Sequence, residues 1–270
     1  MEERTSHSSS GLETDPHRWI TALHDSQDRL ASIVRPLTPE QLRSQSYDTE
    51  WSIAQVLSHL GSQAELFMGW LSAAVERTEP SGRESMQPVW DAWNGRSPEE
   101  QAADSLEYNE RLVRRFDALT DDQLARMHLS LIGMELDAVG LTRLRLAEHA
   151  LHTWDIDVAL DPAARVAPDS VALLIDALGF IAKRAGKPQG TTFRLRVRTS
   201  EPARDFLLQV AGEVSIAEWD NGAADGELQL PSEAFLRLVY GRLDPDHAPA
   251  VAITAQNVTL DDLRQIFPGT

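Results

Sequence analysis

The feature that most constrains this chain is a change of hydrophobic period near residue 165. Before it, apolar residues recur every three or four positions. After it, they alternate with polar residues over several short runs. A helix gathers residues three and four apart onto one face, whereas a strand sends successive residues to opposite faces. A chain that carries the two periods one after the other is expected to form two domains, an all-helical one followed by an α+β one. The length of 270 residues accommodates two domains of ordinary size.

In the first half, "DPHRWITALHDSQDRLASIV" (15–34) places Trp19, Leu23, Leu30 and Val34 at helical spacing. Thr38, Pro39 and Gln41 then supply a cap, a proline for the first turn and a capping-box partner. "TEWSIAQVLSHLGSQAELFMGWLSAAVER" follows, with Ile53, Leu57, Leu60, Ala64, Phe67 and Leu71 on one face of an amphipathic helix. Ser97-Pro98-Glu99-Glu100 opens a third helix that runs to about Ala118. "LTDDQLARM" (119–127) echoes "LTPEQLRSQ" (37–45), and a fourth long helix is expected over about 139–160. Four long helices with short connections argue for an up-and-down bundle.

The second half opens after "LDPAARVAPDS" (160–170) with one helix expected over 169–185. "TTFRLRVRTS" (191–200) alternates Phe193, Leu195 and Val197 with arginines, the period of a half-buried strand. "DFLLQVAG", "VSIAEWD" and "GELQLP" continue as strands, and "DNGAADG" provides turn residues. A helix in "PSEAFLRLVYGRL", a strand in "APAVAITAQN" and a helix in "TLDDLRQIF" complete a mostly antiparallel α+β domain. The expected division is a disordered head over 1–14, a helical bundle over 15–165 and the α+β domain over 166–270.

Composition narrows the function classes. The net charge of −17, with no visible basic patch, repels phosphate backbones, so no nucleic-acid partner is expected. The longest apolar runs, such as "VALLIDALGFIA" (171–182), are too short for a bilayer, so no membrane partner is expected either. The opening "MEERTSHSSS" lacks the apolar stretch of a signal peptide, and the chain has no cysteine, which together suggest a cytoplasmic protein. Without thiolates, any metal must be held by histidines and carboxylates.

One stretch could do so. In "RLRLAEHALHTWDIDVAL" (143–160), Leu144, Ala147, Leu151, Trp154 and Val158 make an apolar stripe. Beside it runs a second stripe of Arg145, Glu148, His152 and Asp155. Glu148 and His152 are four residues apart, so their side chains share a face and can converge on one cation. His59, one step off the apolar stripe of its own helix, is the candidate third ligand. Two histidines and a carboxylate with one free position is the ligand set of a catalytic zinc site. Spacing alone leaves blander readings open: Glu148 and His152 as a surface pair, and His59 as a half-buried histidine bonded to a carbonyl. His149 faces elsewhere and reads as structural, while His7, His17, His24, His128 and His247 show no partner pattern.

"TEWSIAQVLSHLGSQAELF", the "LTPEQL" turn before it and "RLRLAEHALHTWDIDVAL" together resemble the DinB-like metalloenzyme bundle. More narrowly, they resemble the maleylpyruvate isomerase family of mycothiol-dependent enzymes. That family pairs a Trp-started helix bearing one histidine with a later E-x-x-x-H-x-x-D helix, here Trp51 to His59 and Glu148, His152, Asp155. The resemblance implies a divalent metal, zinc by preference, held by His59, Glu148 and His152, with mycothiol as thiol cosubstrate. It also implies a sterol-carrier-protein-like second domain whose later helix ends in Gly-Arg, matched by "FLRLVYGRL" and placing Arg242 there.

On this reading the missing cysteine fits a thiol supplied from outside, and an open metal position would convert it to thiolate. Asp155 would orient a ligand or contact the thiol, and Arg242 could grip a carboxylate in bidentate fashion. The expected partners are a small thiol and an electrophilic or unsaturated acid, with the protein a monomer or homodimer. Two reactions remain open, cis–trans isomerisation and S-transfer to an electrophile. The alternative class is a non-catalytic module that binds metal or an apolar ligand.

Overall fold

A computed structural model describes residues 14–269, and the chain divides into two units between Ala164 and Arg165. The head expected to be disordered lies, except for Thr14, outside the described residues.

The first unit is built on four long helices: α1 (Pro16–Val34), α3 (Ile53–Glu76), α5 (Pro98–Asp117) and α7 (Ala138–Leu160). Shorter helices, α2 (Pro39–Leu42), α4 (Met86–Asn94) and α6 (Asp121–Arg126), sit in the connections. Every start but that of α4 has a capping side chain. Asp15 accepts from the His17 amide ahead of Pro16, and Asp137 accepts from the Gly140 amide to start α7. Reciprocal capping boxes open α2 (Thr38 with Gln41), α3 (Ser52 with Gln55), α5 (Ser97 with Glu100) and α6 (Thr120 with Gln123). The two echoing segments therefore share one physical device, a Thr cap answered by a Gln three residues on.

The long helices do not pack in simple up-and-down order. Their main contacts run α1–α7, α1–α5, α3–α5 and α3–α7, so α1 and α3 are not principal neighbours although they are consecutive long helices. Connections that contain α2 and α4 are long enough to cross the bundle, unlike the short loops of an up-and-down arrangement. A hairpin, β1 (Leu129–Leu131) with β2 (Met134–Leu136), precedes α7. The core gathers Leu30, Val34, Ile53, Leu57, Leu60, Ala102 and Ile156 from all four long helices, all buried. No helix among the described residues is long and apolar enough to cross a membrane.

In the second unit the helix expected over 169–185 is interrupted. It consists of α8 (Pro168–Leu174), a 3₁₀ turn over Ile175–Ala177 and α9 (Leu178–Ala185). The apolar run is continuous across the break, so its periodicity does not register the tightened turn. A five-stranded sheet follows from β3 (Phe193–Ser200), β4 (Arg204–Val210), β5 (Val214–Glu218), β6 (Gly226–Pro231) and β7 (Ala252–Ala255). Its order is β5-β4-β3-β6-β7, antiparallel except for β3 beside β6. Register puts Val197 opposite Phe206 on one side and Leu228 on the other, so the inward face is apolar. The outward Arg194, Arg196 and Arg198 pair with Asp220, Asp205 and Glu227. The buried helix α10 (Ser232–Val239) packs among α8, β3 and β6, and α11 (Leu260–Ile266) closes the unit.

Candidate metal centre

The bundle brings His59 from α3 together with Glu148 and His152 from α7. One ligand atom from each, two imidazole nitrogens and a carboxylate oxygen, lies within 4.8 Å of the other two. Glu148 Oε2 is 3.3 Å from His59 Nε2 and 3.7 Å from His152 Nε2. The donor set fits a borderline divalent cation such as zinc, which accepts nitrogen and carboxylate oxygen in one tetrahedral shell.

Exposure falls from 40% at the Glu148 side chain through 25% at His59 and 12% at His152 to 0% at Asp155. The centre is thus accessible on the Glu148 side and sealed behind His152. Asp155 Oδ2 lies 2.8 Å from His152 Nδ1. A carboxylate there accepts the hydrogen bond of Nδ1–H, which leaves the Nε2 lone pair directed at Glu148. Trp51 lines one wall, with its ring 5.2 Å from that of His59 and nearly parallel to that of His152 at 6.3 Å. The loop backbone holds it there, since Ser46 N–H donates to the Trp51 carbonyl at 3.0 Å.

Burial pushes the His59 imidazole below its usual range, outweighing the nearby Glu148 carboxylate. For Glu148, desolvation pulls the carboxyl up, but the adjoining His59 and His152 imidazoles and a hydrogen bond from Gln63 hold it well below the usual carboxylate range. At neutral pH the centre therefore offers a neutral imidazole and a carboxylate, the forms that ligate.

Two further residues complete the polar cluster. Gln63, one turn beyond His59, donates from Nε2 to Glu148 Oε2 at 2.7 Å and lies 2.9 Å from His59 Nε2. Arg145 Nη1 donates to Gln63 Oε1 at 2.8 Å, and its Nη2 donates to the Leu60 carbonyl at 3.0 Å and to Asn109 Oδ1. Arg145 is fully buried, which lowers its guanidinium to about 10, and it stays cationic at neutral pH. The polar stripe of the sequence includes Arg145, whereas Gln63 belongs to no stripe or motif there. The available signal was its i, i+4 relation to His59.

His149 points away into a closed network. It is 0% exposed, with Nδ1 2.8 Å from Ser26 Oγ and Nε2 3.2 Å from Gln27 Oε1. His17, His24, His128 and His247 each pair with one acid, Asp121, Asp28, Glu135 and Asp244 respectively. His7 lies outside the described residues.

Arg242 belongs to the second unit, in the turn after α10. Its amide donates to the Arg237 carbonyl at 2.7 Å and its Nη1 to the Tyr240 carbonyl at 3.1 Å. Gly241 before it has φ +70°, and a Cβ there would meet Gly269 backbone at 2.2 Å. Only glycine combines that conformation with that approach.

The sequence model of the mycothiol maleylpyruvate isomerase N-terminal domain matches residues 23–157, half of the chain. No curated protein sequence matches. Among solved structures, a mycothiol-dependent maleylpyruvate isomerase is similar with a TM-score of 0.67 at 12% identity, covering 92% of this chain and 96% of that one. A histidine-to-alanine mutant of that isomerase matches with the same TM-score of 0.67. YfiT from Bacillus subtilis, described as a probable metal-dependent hydrolase with an unusual four-helix bundle topology, matches at a TM-score of 0.40 and 19% identity, covering 59% of this chain and 93% of that one.

Proposed function

From the premise that this chain belongs to the family of the mycothiol maleylpyruvate isomerase N-terminal domain, we propose that it is a mycothiol-dependent metalloenzyme of the maleylpyruvate isomerase type. The observation that carries this reading is the convergence of His59, Glu148 and His152 within 4.8 Å, with one side accessible. On this reading those three residues hold a divalent ion, zinc by preference. Bound there, the ion would supply a Lewis acid able to hold as thiolate a sulfur whose free pKa is about 8.5.

The chain's own residues account for the rest. Asp155 fixes the tautomer and orientation of His152. Having no cysteine, the protein supplies no sulfur nucleophile, which fits an external thiol. Isomerisation needs that thiol to add across the cis double bond, the resulting single bond to rotate, and the same C–S bond to break. The thiol is regenerated and the product differs from the substrate in geometry alone. Arg242 is assigned to grip a carboxylate of the thiol or the acid, a task suited to a planar two-pronged donor.

The test is metal content followed by turnover. Purified protein should carry about one equivalent of metal and His152→Ala much less, as expected when one of three ligands is lost. Turnover of a cis-diketoacid should require added mycothiol. Thiol consumed in step with substrate would reassign the reaction to S-transfer. Metal-free protein after growth in zinc would reject the reading.

A further inference from the structure

Gln63 is uncharged and supplies none of the three ligand atoms, yet its amide touches two of the three candidate ligands. Its orientation is fixed by Arg145, because a guanidinium can only donate and so must face the amide oxygen. The NH2 end is thereby turned toward Glu148 Oε2 at 2.7 Å and His59 Nε2 at 2.9 Å. Arg145 cannot easily release it. It is fully buried, bonded to Leu60 on α3 and Asn109 on α5, and among the described residues no carboxylate lies within ion-pair distance of it. The positive charge of Arg145 thus stands beside the centre, with the Gln63 amide bonded between it and Glu148.

We propose that Gln63, clamped by Arg145, positions Glu148 and His59 for a divalent ion and biases the open coordination position toward an anionic ligand such as a thiolate. The assignment rests on the metal reading above and deepens it. Before the ion binds, Gln63 N–H groups occupy the lone pairs that will ligate, so Glu148 and His59 are already turned toward one point. An imidazole nitrogen has a single lone pair. Once that pair ligates, the N–H that met His59 is free to donate to whatever occupies the open position. A donor next to a cation, backed by the buried Arg145 charge, favours an anion over a neutral ligand.

Cobalt(II) is the probe, since its visible spectrum reports coordination and a near-ultraviolet charge-transfer band reports bound thiolate, independently of turnover. Wild type, Gln63→Leu and Gln63→Glu would be titrated with cobalt against a chromogenic chelator, then with 2-mercaptoethanol at fixed pH. Gln63→Leu, checked for folding by circular dichroism, should bind cobalt about 10–100-fold more weakly, the usual loss when a partner of a ligand is removed. Gln63→Glu keeps an oxygen for Arg145 and adds an anionic donor, so it should recover cobalt affinity. It should nevertheless require at least about tenfold more thiol to develop the charge-transfer band, because an N–H donor has become a negative acceptor. A folded Gln63→Leu with wild-type cobalt affinity overturns the proposal. So does a Gln63→Glu with wild-type thiol affinity, which decides the matter alone if Gln63→Leu does not fold. Wild-type protein that binds no cobalt overturns the metal reading itself, a separate result.

Discussion

His149 and His152 stand three residues apart on α7 and show how partners decide what an imidazole does. His149 has only neutral partners, Ser26, Gln27 and Thr153, and no exposure; burial, with the positive charge of Arg145 nearby, keeps its pKa well below the usual range. It holds α7 to α1. His152 has a carboxylate behind its Nδ1 and a second carboxylate in front of its Nε2. Its lone pair is aimed at a point that another group can share. Substitutions should separate the two roles. Asp155→Asn should retain metal at saturating zinc, bind it about 10–100-fold more weakly and slow turnover, since an amide no longer demands the Nδ1 proton. His149→Leu should leave metal affinity unchanged but cost about 1–3 kcal/mol for each buried partner it strands. Chelator competition and denaturant melts on both variants check this. Equal metal affinity in Asp155→Asn and wild type would remove Asp155 from the centre.

Among elements, α4 against α3 gives the sharpest case of packing overriding propensity. Gly61 lies mid-helix in α3, where alanine would ordinarily gain about 1 kcal/mol. Yet a Cβ there would come within 2.1 Å of the Trp93 ring from α4. Trp93 cannot swing aside, because it is fully buried, bonded to Glu65 at 2.8 Å and covered by the Arg96 guanidinium at 3.7 Å. Gly61→Ala should therefore destabilise by about 1–3 kcal/mol, the range for overpacking a core. A raised melting temperature would contradict this. The same helix pair marks where the sequence stops being readable. The long helices were legible from stripes and caps, and the strand β3 from arginines alternating with Phe193, Leu195 and Val197. The helix α4 was not, because it is short, starts without a side-chain cap and carries Pro88, so the helical spacing of Met86, Val89, Trp90 and Trp93 spans barely two turns. The β1–β2 hairpin was hidden too. Its turn has positive φ at Ile132 and Gly133, where the readable signal would be Asn-Gly. Of the site, the i, i+4 pair on α7 was visible. The convergence of α3 on it depends on which helices are neighbours, and connection length does not disclose that.

For the molecule as a whole, the proposal assigns metal ligands to the first unit and a carboxylate-binding arginine to the second. Arg242→Ala should leave metal content and cobalt spectra at wild-type values, because every proposed ligand lies in the bundle. It should raise the apparent KM of the carboxylate-bearing partner with a smaller effect on kcat, as when binding common to ground and transition states is lost. A bidentate charged hydrogen bond contributes about 1.5–3 kcal/mol, so a rise of about 10–150-fold is expected. The cysteine-free sequence supplies an internal control. Pretreating the enzyme with an alkylating reagent and then removing the reagent should leave activity intact, because there is no protein thiol to modify. Activity without any added thiol would defeat the mechanism at its premise. Unchanged kinetics in Arg242→Ala, with thiol dependence preserved, would confine the chemistry to the bundle and leave the second unit some other task.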